Sequence, residues 1–520
     1  MLNEEEFSKR KRILTLIGLG LAGMTPQITA GASTTLLPTA LTQYGRMALY
    51  SGILICNTAG MASFAPIAGR LSDILGSKKT LIFGLVVYFC SMAAIFVGGN
   101  VLTLAVGLFF AGVGYGAINS CVKSSVGEYY DEKDQDRFLG YIETASDGGM
   151  FFAPLLGGVI TDTIGWHYVY AFTFATSLIA FLLILFNAPK SKVKNIVDYI
   201  DYKGLVTFFF MALSLMMMIS GTGNLFQKGS AIHYTVIAVC VISVILFLLF
   251  ERNNDNAFIN FVLFKNKLFI LLFFSCLSLN LTYVALSYSS FYFQNICGYS
   301  ATMAGTLQTP RGVVGIFVGL VVGLIASKTG KYKQIYIFQL FLITISYLVM
   351  MLSTPYTAWI YVVGSVIFSI GMGAVMLCPV SMCLRYIGKK LSGVAIGLVT
   401  FTVTFGSTVS SGLGGRFVAG AWSKAATMIP EAMKTALGDD NYAYMLSQSA
   451  LRDGNKLSEI QNALPVEMQV QFEQLVHDLR MLMMSGIRKI FIYCLVCMAI
   501  SITIAFMIKL PKDPRTETVK

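Results

Sequence analysis

Glu143 and Asp147 stand four residues apart in an otherwise apolar stretch, so both carboxylates share one helix face. Two carboxylates held that close raise the pKa of one of them, which suits a proton carrier. Lys123, late in the preceding apolar run, could offset their charge. The alternative is a wetted rim, where all three only stabilise a helix start. Arg311, directly after Pro310, is another charge inside an apolar run. It could meet an anionic substrate or a carboxylate, or it could pack and snorkel to the interface. Uncharged polar residues accompany these groups: Gln27, Thr29, Thr34, Asn57, Asn119, Asn280, Tyr283 and Gln294. As a set they would line a fairly neutral substrate cavity; singly, each could simply bond between helices. Pro26-Gln27 suits a helix break that exposes backbone groups to a substrate.

Other chemistries lack their residues. Gly112-Val-Gly-Tyr-Gly is too short and too deep in an apolar run for a nucleotide fingerprint, and Gly76-Ser-Lys lacks the phosphate-loop spacing. There is no His-Glu-x-x-His motif, and the three histidines, His167, His233 and His477, are scattered near loops. The cysteines lie almost wholly in apolar runs, and Cys494-x-x-Cys497 has no partner pair, so they read as small packing residues. No enzyme, cofactor or metal site is expected.

The elements that position these side chains are membrane helices. Of 520 residues, 56% are hydrophobic and 12% charged, and mean hydropathy is +0.70; soluble domains carry about 25% charged residues. We count about fourteen runs near the ~20 residues a spanning helix needs: 13–37, 46–68, 80–98, 101–122, 139–160, 168–187, 203–221, 232–250, 267–290, 302–326, 334–352, 357–380, 391–420 and 487–509. Net charge is +12, but the basic residues are dispersed over alternate short loops, as Lys78, Lys79, Lys190, Lys192, Lys194, Lys265, Lys267, Lys328, Lys331, Lys333, Lys389 and Lys390. That is positive-inside anchoring rather than a nucleic-acid face, and it puts both termini in the cytoplasm. The long polar segment 422–486 then lies outside. It reads as amphipathic helices over 425–437 and 466–484, with Phe472, Leu475, Leu479 and Leu482 on one face.

Two loops echo each other. Gly69 to Lys79 reads Gly-Arg-Leu-Ser-Asp-Ile-Leu-Gly-Ser-Lys-Lys; Gly323 to Lys333 repeats its Gly-x6-Gly spacing and basic tail, with Ser327 where Asp73 stood. Glycines permit the reversal, Asp73 could face the positive end of a nearby helix, and the lysines anchor. Setting aside 203–250 leaves six spans on either side. The expected domains are a first six-helix bundle at 1–190, two additional helices at 191–255, and a second bundle at 256–520 that includes 422–486. Repeated halves are the trace of a transporter that rocks around a central site.

These features resemble the major facilitator superfamily, and within it the fourteen-span drug:proton antiporter branch. Gly69, Asp73, Gly76 and Lys78 fit the superfamily's conformational-switch loop between helices two and three. Gly149, Pro154, Gly157 and Gly158 resemble the antiporter motif, a Gly/Pro stretch that bends and closely packs a helix. Gly165-Trp166-His167, Asp201-x-x-Gly204, Leu263-Phe264 and the 292–305 segment match further landmarks. Two positions depart from the pattern: Thr29 stands where the first span often carries Asp, and Leu108 and Ala111 replace the polar positions of the fourth-span Arg motif. The resemblance implies an all-α membrane protein of a bacterial inner membrane, acting as a monomer. It would export amphipathic, drug-like small molecules in exchange for protons by alternating access. The missing Asp and Arg, with Arg311, motivate the alternative of a symporter or exchanger of a metabolite or organic anion.

Overall fold

A backbone in hydrocarbon must satisfy its own polar groups, and the apolar runs accordingly become long helices. The computed structural model describes residues 9–130, 132–189, 202–222, 226–252, 261–373, 375–387 and 389–510. The first helices are α1 (Lys9–Gln43), α2 (Tyr50–Leu75), α3 (Ser77–Val97), α4 (Val101–Tyr129), α5 (Glu132–Thr163) and α6 (His167–Asn187). Next come α7 (Tyr202–Met216) and α8 (Ala231–Glu251), then α9 (Lys267–Asn280), α10 (Ala301–Thr329) and α11 (Tyr332–Met351). Then follow α12 (Ala358–Met372), α13 (Leu377–Tyr386), α14 (Lys389–Trp422), α15 (Glu431–Met445), α16 (Gly454–Ala463) and α17 (Val466–Met507). Side chains fix several starts. The Asn100 side chain accepts from Thr103 N (2.8 Å), and Ser300 Oγ accepts from Met303 N (3.1 Å).

Eleven described helices are long and apolar enough to cross a membrane. The expected spans 139–160, 203–221 and 391–420 are helical, in α5, in α7 with its extension to Gly221, and in α14, but fall outside that measure. The expected total of fourteen is therefore not reached on length and composition alone.

In the first group of helices, α1 packs on α5 and α6, α2 on α4, and α3 on α4 and α6. In the second, α9 packs on α14 and α17, α11 on α12 and α17, and α10 on α12. Small residues let backbones meet: a Cβ on Gly114 would come within 2.8 Å of Gly84 O and Tyr88 N, and one on Gly116 within 2.8 Å of Met61 O. The two groups touch along α5–α10 and α2–α14, while α7 docks the α7–α8 pair on α2. Val241, Ile242, Ile245 and Leu249 of α8 are exposed, as a lipid-facing helix requires.

Two expectations need correction. The helix break expected at Pro26-Gln27 is absent: α1 runs unbroken through Pro26, which is buried. The Thr25 and Thr29 hydroxyls bond carbonyls one turn earlier, at Leu21 (2.8 Å) and Thr25 (3.5 Å), and hold this turn together. The irregular backbone lies after α9 instead. There the chain passes through a 3-10 turn at Leu281–Tyr283 and a π turn at Tyr292–Ile296. Tyrosines from other helices serve the carbonyls at this break: Tyr347 donates to Thr282 O (3.0 Å) and Tyr361 to Ala285 O (2.7 Å). The second correction concerns the amphipathic helices: 425–437 is split at Ile429-Pro430 into a short turn at Ala425–Met428 and the start of α15, and 466–484 is no separate helix but the first half of α17, continuous with the last span. Its expected apolar face does form, with Phe472, Leu475 and Leu479 buried.

Candidate functional site

The two echoing loops perform the same task. Gly76 (φ 88°) and Gly330 (φ 65°) both take a left-handed backbone that favours glycine. Lys78 Nζ donates to Leu185 O (3.0 Å) and Ala188 O (2.5 Å), at the end of α6. Lys333 Nζ donates to Phe506 O (3.1 Å) and Ile508 O (2.6 Å), at the end of α17. Each lysine thus closes the negative end of the last helix in its group. In the first loop Ser77 also donates to the Glu128 carboxylate at the end of α4. The side chains of Asp73 and Ser327 lie outside the described residues, as do those of Glu143 and Asp147 and the whole of Lys190, Lys192 and Lys194. The halves echo in their interiors too: Tyr88 bonds Thr29 on α1 as Tyr347 bonds Thr282 after α9 (2.8 Å).

The Gly/Pro stretch of α5 faces two ways. A Cβ on Gly149 would meet Met24 Cγ at 2.6 Å, and one on Gly157 would meet Ala32 Cβ at 2.6 Å, so these glycines bring α5 against α1. Gly158 lies against the Ala301 carbonyl, and Gly305 against the Pro154 carbonyl, so the same stretch brings α5 against α10. The seam between the two groups is therefore backbone on backbone. It lies at the end of the bundle opposite the lysine loops.

Hydrogen bonds reinforce that end. Gln294 Nε2 donates to Thr35 O (2.9 Å), Tyr50 to Ser287 O (2.9 Å), Ser290 to Thr34 (3.4 Å) and Thr302 N to Asp162 (2.7 Å). From the polar segment, Arg452 reaches over α1 to the hydroxyls of Thr39 (2.5 Å) and Thr42 (3.4 Å). Burial lowers its pKa to about 10, opposed by Asp162 and Asp453, so it remains a cation at neutral pH. At the lysine-rich end the seam loosens: a Cβ on Gly69, Gly319 or Gly323 would meet nothing within 4 Å.

The remaining polar candidates divide by environment. Thr29, Asn280 and Gln294 are buried. Asn280 donates to Cys276 O (2.8 Å) and Thr402 (3.1 Å), while its Oδ1 has no partner. Asn57 is half-buried and donates to Leu108 O (3.2 Å), binding α2 to α4. Gln27 and Asn119 are half-buried, and Tyr283 is half-buried on the irregular turn. Lys123 is exposed at the lysine-rich end of α4. Arg311 is half-buried on α10, with a shielded Nη1 that has no hydrogen-bond partner.

Sequence reasoning missed the role of Arg416. Its guanidinium donates to Ile219 O (2.8 Å) and Thr222 O (2.7 Å), tying α14 to the end of the inserted helix. A basic residue near a helix end was the available signal, but its partner is 194 positions away. Arg385 bonds the Tyr332 hydroxyl (2.8 Å) and lies over its ring.

Many long apolar helices in two like groups, with lysines gathered at one end and a glycine seam at the other, define a polytopic membrane transporter rather than an enzyme. The chain belongs to the Major Facilitator Superfamily, whose family model matches residues 15–411. It is 27% identical over 371 residues to the quinolone resistance protein NorB of Staphylococcus aureus, covering 71% of this chain and 78% of that protein. Among solved structures it is similar in fold to a bacterial homologue of the human lysosomal transporter Spinster in an inward-facing, occupied conformation. That match has TM-score 0.66 and 12% identity, covering 96% of this chain and 97% of the other. An auto-inhibited POT-family peptide transporter matches with TM-score 0.60 and 13% identity, covering 97% and 98%.

Proposed function

We propose that this chain exports small amphipathic, drug-like compounds by alternating access, driven by proton entry. The observation that carries the reading is the asymmetry of the seam, closed backbone to backbone opposite the lysines and loose beside them. With the lysine-rich end cytoplasmic by the positive-inside rule, both termini are cytoplasmic and the state is inward-facing. The helical stretches 139–160, 203–221 and 391–420 complete fourteen spans. They form bundles at 1–190 and 256–520, with an additional pair at 191–255. The cargo class rests on the likeness to a quinolone resistance protein. Glu143 and Asp147, four apart on α5, are the proposed proton carriers, because Thr29 replaces the acidic residue expected on α1. The protein works as a monomer in the inner membrane of a bacterium.

The test is transport in proteoliposomes under an imposed pH gradient, with ethidium and norfloxacin as probes. We expect proton-linked movement of at least one probe, lost in Glu143→Gln or Asp147→Asn. Gradient-independent movement that both variants leave unchanged would refute proton-driven export.

A further inference from the structure

Arg311 lies ten residues into the 29-residue α10, about 15 Å along the helix axis from its first residue and inside an apolar run. Snorkelling would leave the guanidinium hydrated at the interface, and the shielding of Nη1 from solvent argues against it. Packing accounts for it poorly too. The guanidinium has no hydrogen bond or ion pair with a described residue, and Nη1 is shielded from solvent. Among the described residues, the groups within electrostatic reach are the phenols of Tyr361 on α12 and Tyr283 on the irregular turn after α9. Neither is a counter-charge. Tyr361 already donates to Ala285 O (2.7 Å), and nearby Gln308 is engaged by Ser289 (2.7 Å) and Ser290 (2.7 Å).

A cation inside an apolar run with no counter-charge among the described residues is costly unless a partner arrives. We propose that Arg311 receives a carboxylate of the transported molecule, paired in the planar two-point geometry that a guanidinium offers. Tyr283, half-buried beside it, borders the site. The neighbouring α10–α5 contact is tight, with Gly312 against the Phe151 side chain. This inference rests on the reading that cargo passes between the two helix groups, and it narrows that cargo to organic anions or zwitterions.

The test is binding to the purified full-length protein in lipid nanodiscs. The probes are nalidixic acid, its neutral methyl ester, and ethidium. We expect the acid to bind wild type better than its ester does. Arg311→Gln should weaken acid binding at least tenfold, Arg311→Lys should fall between, and both variants should change ester and ethidium binding less than twofold. Equal loss of acid and ester would mean a structural role and overturn the proposal. So would undiminished acid binding in Arg311→Gln, or a wild type indifferent to the carboxylate. Transport separates the two readings. Ethidium export with no acid preference would remove the anion site and keep the exporter. Arg311-dependent acid binding without gradient-driven transport of any probe would do the reverse.

Discussion

The two ends of the contact between the helix groups are built from the same residue type with opposite results. Opposite the lysine loops, Gly158 and Gly305 lie against carbonyls of the facing helix, and Gln294, Ser290 and Arg452 bond across. Beside the lysine loops, Gly69, Gly319 and Gly323 have open space where a side chain would stand. Glycine closes one end because it is matched there by a partner backbone. It leaves the other loose because no atom stands within 4 Å of where a side chain on Gly69, Gly319 or Gly323 would begin. A transporter that rocks needs both arrangements, since the open end must be able to become the closed one.

The largest effect should come from filling the closed seam. Gly158→Leu places a branched side chain against Ala301 and Thr302. Overpacking of about 1–3 kcal/mol would shift the conformer ratio roughly 5- to 150-fold toward the opposite-facing state. A thiol reagent applied from the outside should then label Ser290→Cys faster, and unchanged labelling would contradict a sealed seam. Next comes Arg452→Ala, which removes a charged donor from Thr39 and Thr42 and costs about 0.5–1.5 kcal/mol. Amide exchange in 39–45 should speed up several-fold. Because burial holds the Arg452 pKa at about 10, the charged form is lost only as pH rises through that value. The contact should therefore persist across about pH 6–9, and loosening within that range would contradict the assignment.

Smaller effects test the repeat. Lys78→Gln and Lys333→Gln should each lower stability by about 0.3–1 kcal/mol, and by similar amounts, because each caps one terminal helix. Thermal melts in detergent would show it; an effect confined to one lysine would break the equivalence. Smallest of all, Gly319→Ala and Gly323→Ala should stay within about 0.5 kcal/mol of wild type, with transport changed less than twofold.

Much of this contrast is legible in the sequence because it is local and repeated. The Gly-x6-Gly spacing and basic tails mark both loops, and the Gly/Pro run of α5 announces close packing. What resists reading is paired across distance. The break after α9 carries no proline; it is sustained by Tyr347 and Tyr361, whose partners are 65 and 76 positions away. Conversely Pro26, the visible signal for a break, is absorbed within α1. The amphipathic face at Phe472 to Leu482 is plain from its period, but nothing in that period says that the helix runs on into the membrane. Site residues are harder still, because a half-buried Gln27 and a buried Gln294 look alike in sequence.

The seam offers the most direct measurement. Thr34 and Ser290 approach to 3.4 Å between hydroxyl oxygens, one from each helix group. Replacing both by cysteine, with Cys90 and Cys297 changed to serine, allows oxidation to bridge the groups. The account predicts that the bridge forms readily, stops uptake of norfloxacin into inverted vesicles, and releases it again on reduction. Undiminished transport by the bridged protein would show that the groups do not separate there, and would contradict alternating access across this seam.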